Sequence, residues 1–97
     1  MQVKIFKALA HPVRLKIVKA LAKQSLCVCE LNADVEFSQS NLSQHLKILR
    51  EAGVVYSKKE GLRINYYIRN QDVRKLLDVV DQMIIRQIEE VNQKIMV

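Results

Sequence analysis

The sequence predicts a mainly α-helical domain interrupted by one β-hairpin, an α+β arrangement, and three observations predict it. Apolar residues recur at three- and four-residue steps through most of the chain. Only residues 54–68 break that period, with β-branched and aromatic residues in two short runs. Two glycines and one proline in 97 residues leave little room for loops. This length implies one domain over residues 1–97, small enough to gain from oligomerisation. A hydrophobic fraction of 49% suits a folded chain. No apolar run approaches the ~18 residues of a membrane span. The N-terminal Met1-Gln-Val-Lys-Ile-Phe-Lys7 lacks the apolar core and cleavage site of a secretory signal, so a cytoplasmic location away from membranes is expected.

Residues 3–9 form a short helix with apolar positions at Ile5, Phe6 and Leu9. His11-Pro12 ends it, because the residue before proline avoids the α region, and Pro12 opens a second helix to about Lys23. Val13, Leu15, Ile17, Val18 and Leu21 give that helix a buried face, and Arg14, Lys16, Lys19 and Lys23 are expected outside. A third helix is expected over Ser25–Ala33, with Ser25 as its cap, and Asp34–Phe37 as a turn. The next helix covers residues 38–52, with Ser38 as N-cap and Gly53 as the stop. Residues 26–33 and 38–52 thus make a helix-turn-helix pair. The runs around Lys59-Glu60-Gly61 then form a hairpin, a wing directly after the second helix of the pair. From Asn70 or Asp72 a last helix carries Val73, Leu76, Leu77, Val80, Met83, Ile84, Ile88, Val91 and Ile95 on one face. That stripe exceeds what one small domain covers, so residues 72–96 read as a dimerisation helix. Ile5, Leu76, Val80, Met83, Ile84, Ile88 and Val91 are its expected interface positions.

The helix at 38–52 has two unlike faces. Leu42, Leu46, Ile48 and Leu49 are apolar, whereas Ser38, Gln39, Ser40, Asn41, Ser43, Gln44 and His45 are uncharged groups that both donate and accept hydrogen bonds. Such a face suits base edges in a DNA major groove, read from the N-terminal part of a recognition helix. Lys47 continues the same surface, and Lys58, Lys59 and Arg63 near the wing tip are placed for phosphates or the minor groove. Tyr56, Tyr66 and Tyr67 read as strand packing rather than base-stacking residues. Charge supports this division. Of the net +6, residues 72–97 hold four basic against five acidic side chains, which leaves +7 for residues 1–71. The competing class, a protein-docking module, fits the polar reading face less well. Enzyme activity is not expected, since no phosphate-binding glycine loop, nucleophile–base motif or paired-carboxylate motif occurs.

The chain resembles the ArsR/SmtB family of winged-helix metal-sensing repressors over nearly its whole length, from Phe6 to about Met96. The resemblance rests on Lys7-Ala-Leu-Ala-His-Pro-Val-Arg-Leu-Lys-Ile-Val18, Leu26-Cys-Val-Cys-Glu-Leu31, residues 38–54 and the wing ending Asn65-Tyr-Tyr-Ile68. It implies a homodimer seated on an inverted repeat in double-stranded DNA and released by an inducer.

Cys27 and Cys29 are the only cysteines. As residues alone they read equally as two small buried side chains. In a regular helix, positions i and i+2 point roughly 200° apart, so one ion could not take both thiolates without distortion. The resemblance implies more: the family's arsenite sensors carry Cys-Val-Cys at this helix, and soft thiolates select arsenite, antimonite or another thiophilic ion, with none needed for folding. The family's frequent third cysteine is Asn32 here, no cysteine lies near Met1, and the last helix has no histidine for the family's second metal site. The alternative is a redox- or sulfur-responsive pair, because a disulfide across one residue is easily reduced.

Overall fold

The structure is a computed structural model that describes residues 1–34, 37 and 41–96, with the side chains of residues 95 and 96 left aside. Its elements are α1 (Gln2–Leu9), α2 (Pro12–Lys23), β1 (Leu26–Cys27), α3 (Val28–Ala33), α4 (Leu42–Glu51), β2 (Val55–Glu60), β3 (Arg63–Ile68) and α5 (Gln71–Met96). The expected helical fold with a wing is what forms. His11 is the N-cap of α2, its Nδ1 accepting from the Val13 N–H at 3.1 Å, with Pro12 in the first turn.

The third helix is shorter than expected. Leu26 and Cys27 are extended and pair antiparallel with Tyr66 and Asn65, so the wing is a three-stranded sheet in the order β1-β3-β2. Cys27, not Ser25, caps α3. A two-residue strand has no readable period, and a partner some forty residues away decides its conformation. The helix expected over residues 38–52, α4, likewise starts later, at Leu42, with the Asn41 side chain accepting from the Gln44 N–H at 3.3 Å. The expected cap at Ser38 lies outside the described residues.

α4 closes as a Schellman motif. The Gly53 N–H donates to the Arg50 carbonyl and the Val54 N–H to the Leu49 carbonyl, both at 3.0 Å, with Gly53 at φ +78°. The hairpin turn is Gly61-Leu62, with Glu60 opposite Arg63, so Lys59 and Glu60 belong to strand β2 rather than to the turn. Gly61 supplies the positive φ of +64° that a two-residue hairpin needs at its first position.

One core joins these elements. Ile17, Val18 and Leu21 of α2 meet Leu31 of α3, Leu42, Leu46 and Leu49 of α4, and Val54, Val55 and Tyr66 of the sheet region, all buried. Among the described residues of α5, only those at its start, Val73 and Leu77, pack against it. Arg74 fixes that start by donating from Nε to the Ala22 carbonyl at 3.1 Å, near the end of α2. Asn70 caps α5, its Oδ1 accepting from the Asp72 N–H at 2.9 Å. The rest of α5 projects, and the radius of gyration of 16.0 Å exceeds the ~13 Å of a compact chain of this length.

Candidate nucleic-acid interface and thiol pair

The capped start of α4 sets out its polar side chains. Asn41, Ser43, Gln44, Lys47 and Arg50 are exposed while Leu42, Leu46 and Leu49 anchor the opposite side. Asn41 and Gln44 also touch through their side-chain amides at 3.4 Å. That bond is long, so base edges can replace it at little cost. Lys47 lies 4.0 Å from Glu51, a surface pair that leaves the lysine available to phosphate. Ser38, Gln39 and Ser40, the other expected reading residues, lie outside the described residues.

His45 differs from its neighbours. It is half-buried, its Nδ1 is 3.2 Å from Arg14 Nη1, and its ring lies 4.6 Å from that of His11. Burial first, and then the nearby His11 and Arg14, hold its pKa below the usual imidazole value. Arg14 also departs from expectation: it is half-buried rather than outside, donating from Nε to the Ala8 carbonyl at 2.7 Å and from Nη2 to the Lys7 carbonyl at 3.1 Å. Sequence reading missed this role. The available signal was an arginine in the first turn of α2, one short corner away from the carbonyls at the end of α1.

On the wing, Lys58, Lys59 and Arg63 are exposed near the tip, as expected. The strand period of two places Lys58 and Arg63 on one face and Lys59 on the other. Tyr56 and Tyr67 stack at 5.1 Å between ring centres, and Lys58 Nζ lies 5.8 and 5.7 Å from the two rings. Tyr67 donates its hydroxyl to Glu60, which lowers the Glu60 pKa and raises that of Tyr67. Tyr66 instead faces the core and is buried. The three tyrosines therefore serve packing and the shape of the wing.

Cys27 is buried and Cys29 exposed, and a disulfide joins them with Cα atoms 5.2 Å apart. The geometric objection drawn from a regular helix does not apply, because Cys27 is extended and precedes the first turn of α3. Its sulfur accepts from the Glu30 N–H at 3.2 Å, and Glu30 Oε1 accepts from the Cys27 N–H at 3.1 Å, a reciprocal capping box. Cys27 also pairs with Asn65 of β3. The sulfur pair thus sits where the wing sheet passes into the first helix of the helix-turn-helix. Among the described residues no group of three or more His, Cys, Asp or Glu side chains could hold a metal ion. A four-ligand site closed within one subunit does not fit them.

The expected interface positions on α5 divide along the helix. Leu76 is half-buried, whereas Val80, Met83, Ile84, Ile88 and Val91 are between 44% and 55% exposed. Ile5 is half-buried against the chain's own core, with Val3 and Phe6 outside. Among the described residues no helix is long and apolar enough to cross a membrane.

Comparison with known proteins agrees with this architecture. Residues 11–57 match the family model described as bacterial regulatory protein, arsR family. An HTH-type transcriptional regulator of Methanocaldococcus jannaschii is 41% identical over 80 residues, covering 81% of this chain and 90% of that protein. The crystal structure of Rv0081 from Mycobacterium tuberculosis superposes with a TM-score of 0.83 at 34% identity, covering 92% of this chain and 90% of that one. The solution structure of the homodimeric winged helix-turn-helix DNA-binding domain of Mb0332 from Mycobacterium bovis gives 0.74 at 30% identity, covering 91% and 82%. The chain therefore belongs to the arsR family of bacterial regulatory proteins, DNA-binding winged helix-turn-helix regulators of transcription rather than enzymes.

Proposed function

We propose that this chain is a homodimeric repressor that reads an inverted repeat in double-stranded DNA through α4 and releases it when the Cys27–Cys29 pair changes state. The uncharged face of Asn41, Ser43 and Gln44 would read bases, together with Ser38, Gln39 and Ser40. Lys47 and the wing residues Lys58, Lys59 and Arg63 would take phosphates. The uncovered apolar stripe of α5 supports the dimer, and a two-fold protein suits a two-fold site. Mb0332, a homodimer of the same fold, is consistent with that arrangement.

The observation that carries the switch is the disulfide at the junction of β1 and α3. Closing it removes two protons and two electrons from two thiols, which a peroxide or disulfide oxidant accepts. Because Cys27 belongs both to the strand paired with β3 and to the cap of α3, its oxidation state bears on the wing and on the helix-turn-helix together. A second reading keeps the reduced pair as a receptor for arsenite, antimonite or another thiophilic ion. Two adjacent soft sulfurs favour it, and a water or small thiol would complete the ion's coordination.

The test is DNA binding, at fixed salt, to the region upstream of the chain's own coding sequence. Reduced protein is compared with oxidised protein and with reduced protein plus arsenite. Release by oxidant, reversed by a dithiol, supports the redox reading; release of the reduced form by arsenite supports the ion reading. Cys27→Ser should keep DNA affinity and lose either response, since serine is itself a preferred cap. A response that survives the substitution places the sensor elsewhere.

A further inference from the structure

Arg14 ties three helices at one point. It sits on α2, takes the Lys7 and Ala8 carbonyls at the end of α1, and reaches His45 on α4. Those carbonyls lack partners within α1, because the last turn of a helix leaves them unpaired. A guanidinium can only donate, so His45 Nδ1 must accept and carry no proton. Neutral His45 then holds its proton on Nε2. The His11 ring lies beside that of His45, and its Nδ1 accepts the Val13 N–H that starts α2.

Among the described residues, the charged groups that act on His45 are His11 and Arg14, and both disfavour an imidazolium. The charged side chains of α1 are Lys4 and Lys7, and those of α2 are Arg14, Lys16, Lys19 and Lys23; neither helix contains a carboxylate. On α4 the charged residues are Lys47, Arg50 and Glu51, with Glu51 beside Lys47. Strand β2, which also packs on α4, brings Lys58, Lys59 and Glu60, and Glu60 accepts from Tyr67. A proton placed on His45 Nδ1 therefore removes the acceptor for Arg14 and sets two positive groups against each other.

We propose that Arg14 and His45 form a proton-sensitive bracket that seats the reading helix on the α1–α2 corner, so that DNA affinity falls as His45 is protonated. This rests on α4 being the reading helix. Arg14 is a positioning residue: it acts on DNA through His45 and the orientation of α4. The lowered pKa of His45 agrees with the geometry and fixes the sign for stability. The folded chain binds this proton at lower pH than the unfolded chain, so the bracket's contribution is present above the ordinary imidazole range and is lost as pH falls through the lowered value. The expected direction for DNA is diagnostic. Adding positive charge near a polyanion ordinarily strengthens binding; the bracket predicts the reverse.

The test uses a duplex that the full chain selects from a random-sequence library at about pH 8, with affinity then measured at constant salt down to about pH 5.5. Each proton changes an affinity at most about tenfold per pH unit, so a weakening of roughly five- to tenfold per subunit is expected. His45→Gln keeps an acceptor for Arg14 but does not titrate, and its profile should be flat or rise in acid. A wild-type affinity that is flat or rises in acid, or a fall equal in both proteins, overturns the proposal. A measurement on the wild type alone guards against a variant that fails to fold. By reciprocity, DNA must lower the His45 titration midpoint seen by NMR, whereas an imidazole facing phosphate has its midpoint raised. A raised midpoint overturns the bracket. Failure of α4 as the reading helix would appear separately, as selected-duplex affinity unchanged by Gln44→Ala at about pH 8.

Discussion

Helices α4 and α5 are both amphipathic, yet only α4 has its apolar side covered by its own chain. Leu42, Leu46 and Leu49 are at most 4% exposed, while Val80, Met83, Ile84, Ile88 and Val91 are 44% or more exposed. α4 is closed at both ends, by Asn41 and by the Gly53 motif. α5 is anchored only over its first turns, by Asn70, Val73, Arg74 and Leu77. The contrast teaches that helical periodicity announces a face that must be covered, without saying which chain covers it. The largest expected effect breaks the uncovered side. In the proposed dimer, Ile84→Asp would put one carboxylate per subunit into the two-fold interface, and each uncompensated buried charge costs about 3–5 kcal/mol. Sedimentation should show a monomer that keeps its helical content and has lost operator affinity. A dimer unaffected by the aspartate would mean that a second copy does not cover this stripe.

The covered side gives the next effect. Leu46 is 1% exposed at the centre of the core, so Leu46→Ala should cost about 2–5 kcal/mol and lower the melting temperature by roughly 10 °C or more. Dimerisation should survive wherever the chain is folded. A loss below about 1 kcal/mol would show that α4 is not held by this stripe.

These two helices also show what the sequence makes legible. The apolar stripes, the stop at Gly53 and the turn at Gly61 were readable because each follows from one local rule: helical period, or a glycine where φ must be positive. The start of α4 is harder to read: Ser38 is the expected cap, whereas Asn41 caps the helix, and both are preferred cap residues. Cys27 escapes the helical reading because the strand it belongs to pairs with Asn65 and Tyr66, far along the chain. Arg14 reads as one of the outward cations of α2, although its side chain turns back to the end of α1 and across to His45. Contacts of that range leave no local period, and they are where the cysteine pair and the seat of α4 acquire their surroundings.

On the outer side of α4, Gln44→Ala should weaken binding to the selected duplex by about 1–3 kcal/mol and binding to a random duplex much less. Equal losses on both would assign Gln44 to general contact with the DNA.

The smallest effect sharpens the comparison most, because it asks which helix faces the nucleic acid without disturbing either. Lys47 of α4 and Arg86 of α5 are both exposed cations on helices of this chain. Each lysine or arginine that neutralises a phosphate releases counterions on binding, so its removal flattens the dependence of affinity on salt. Lys47→Ala should reduce the slope of log affinity against log salt by about 1, with similar loss on every duplex. Arg86→Ala should leave the slope unchanged, since residues 72–97 carry no net positive charge and α5 presents an apolar stripe rather than a basic face. A changed slope for Arg86→Ala would bring α5 to the DNA. An unchanged slope for Lys47→Ala would confine the phosphate contacts to other residues, first among them Lys58, Lys59 and Arg63 of the wing.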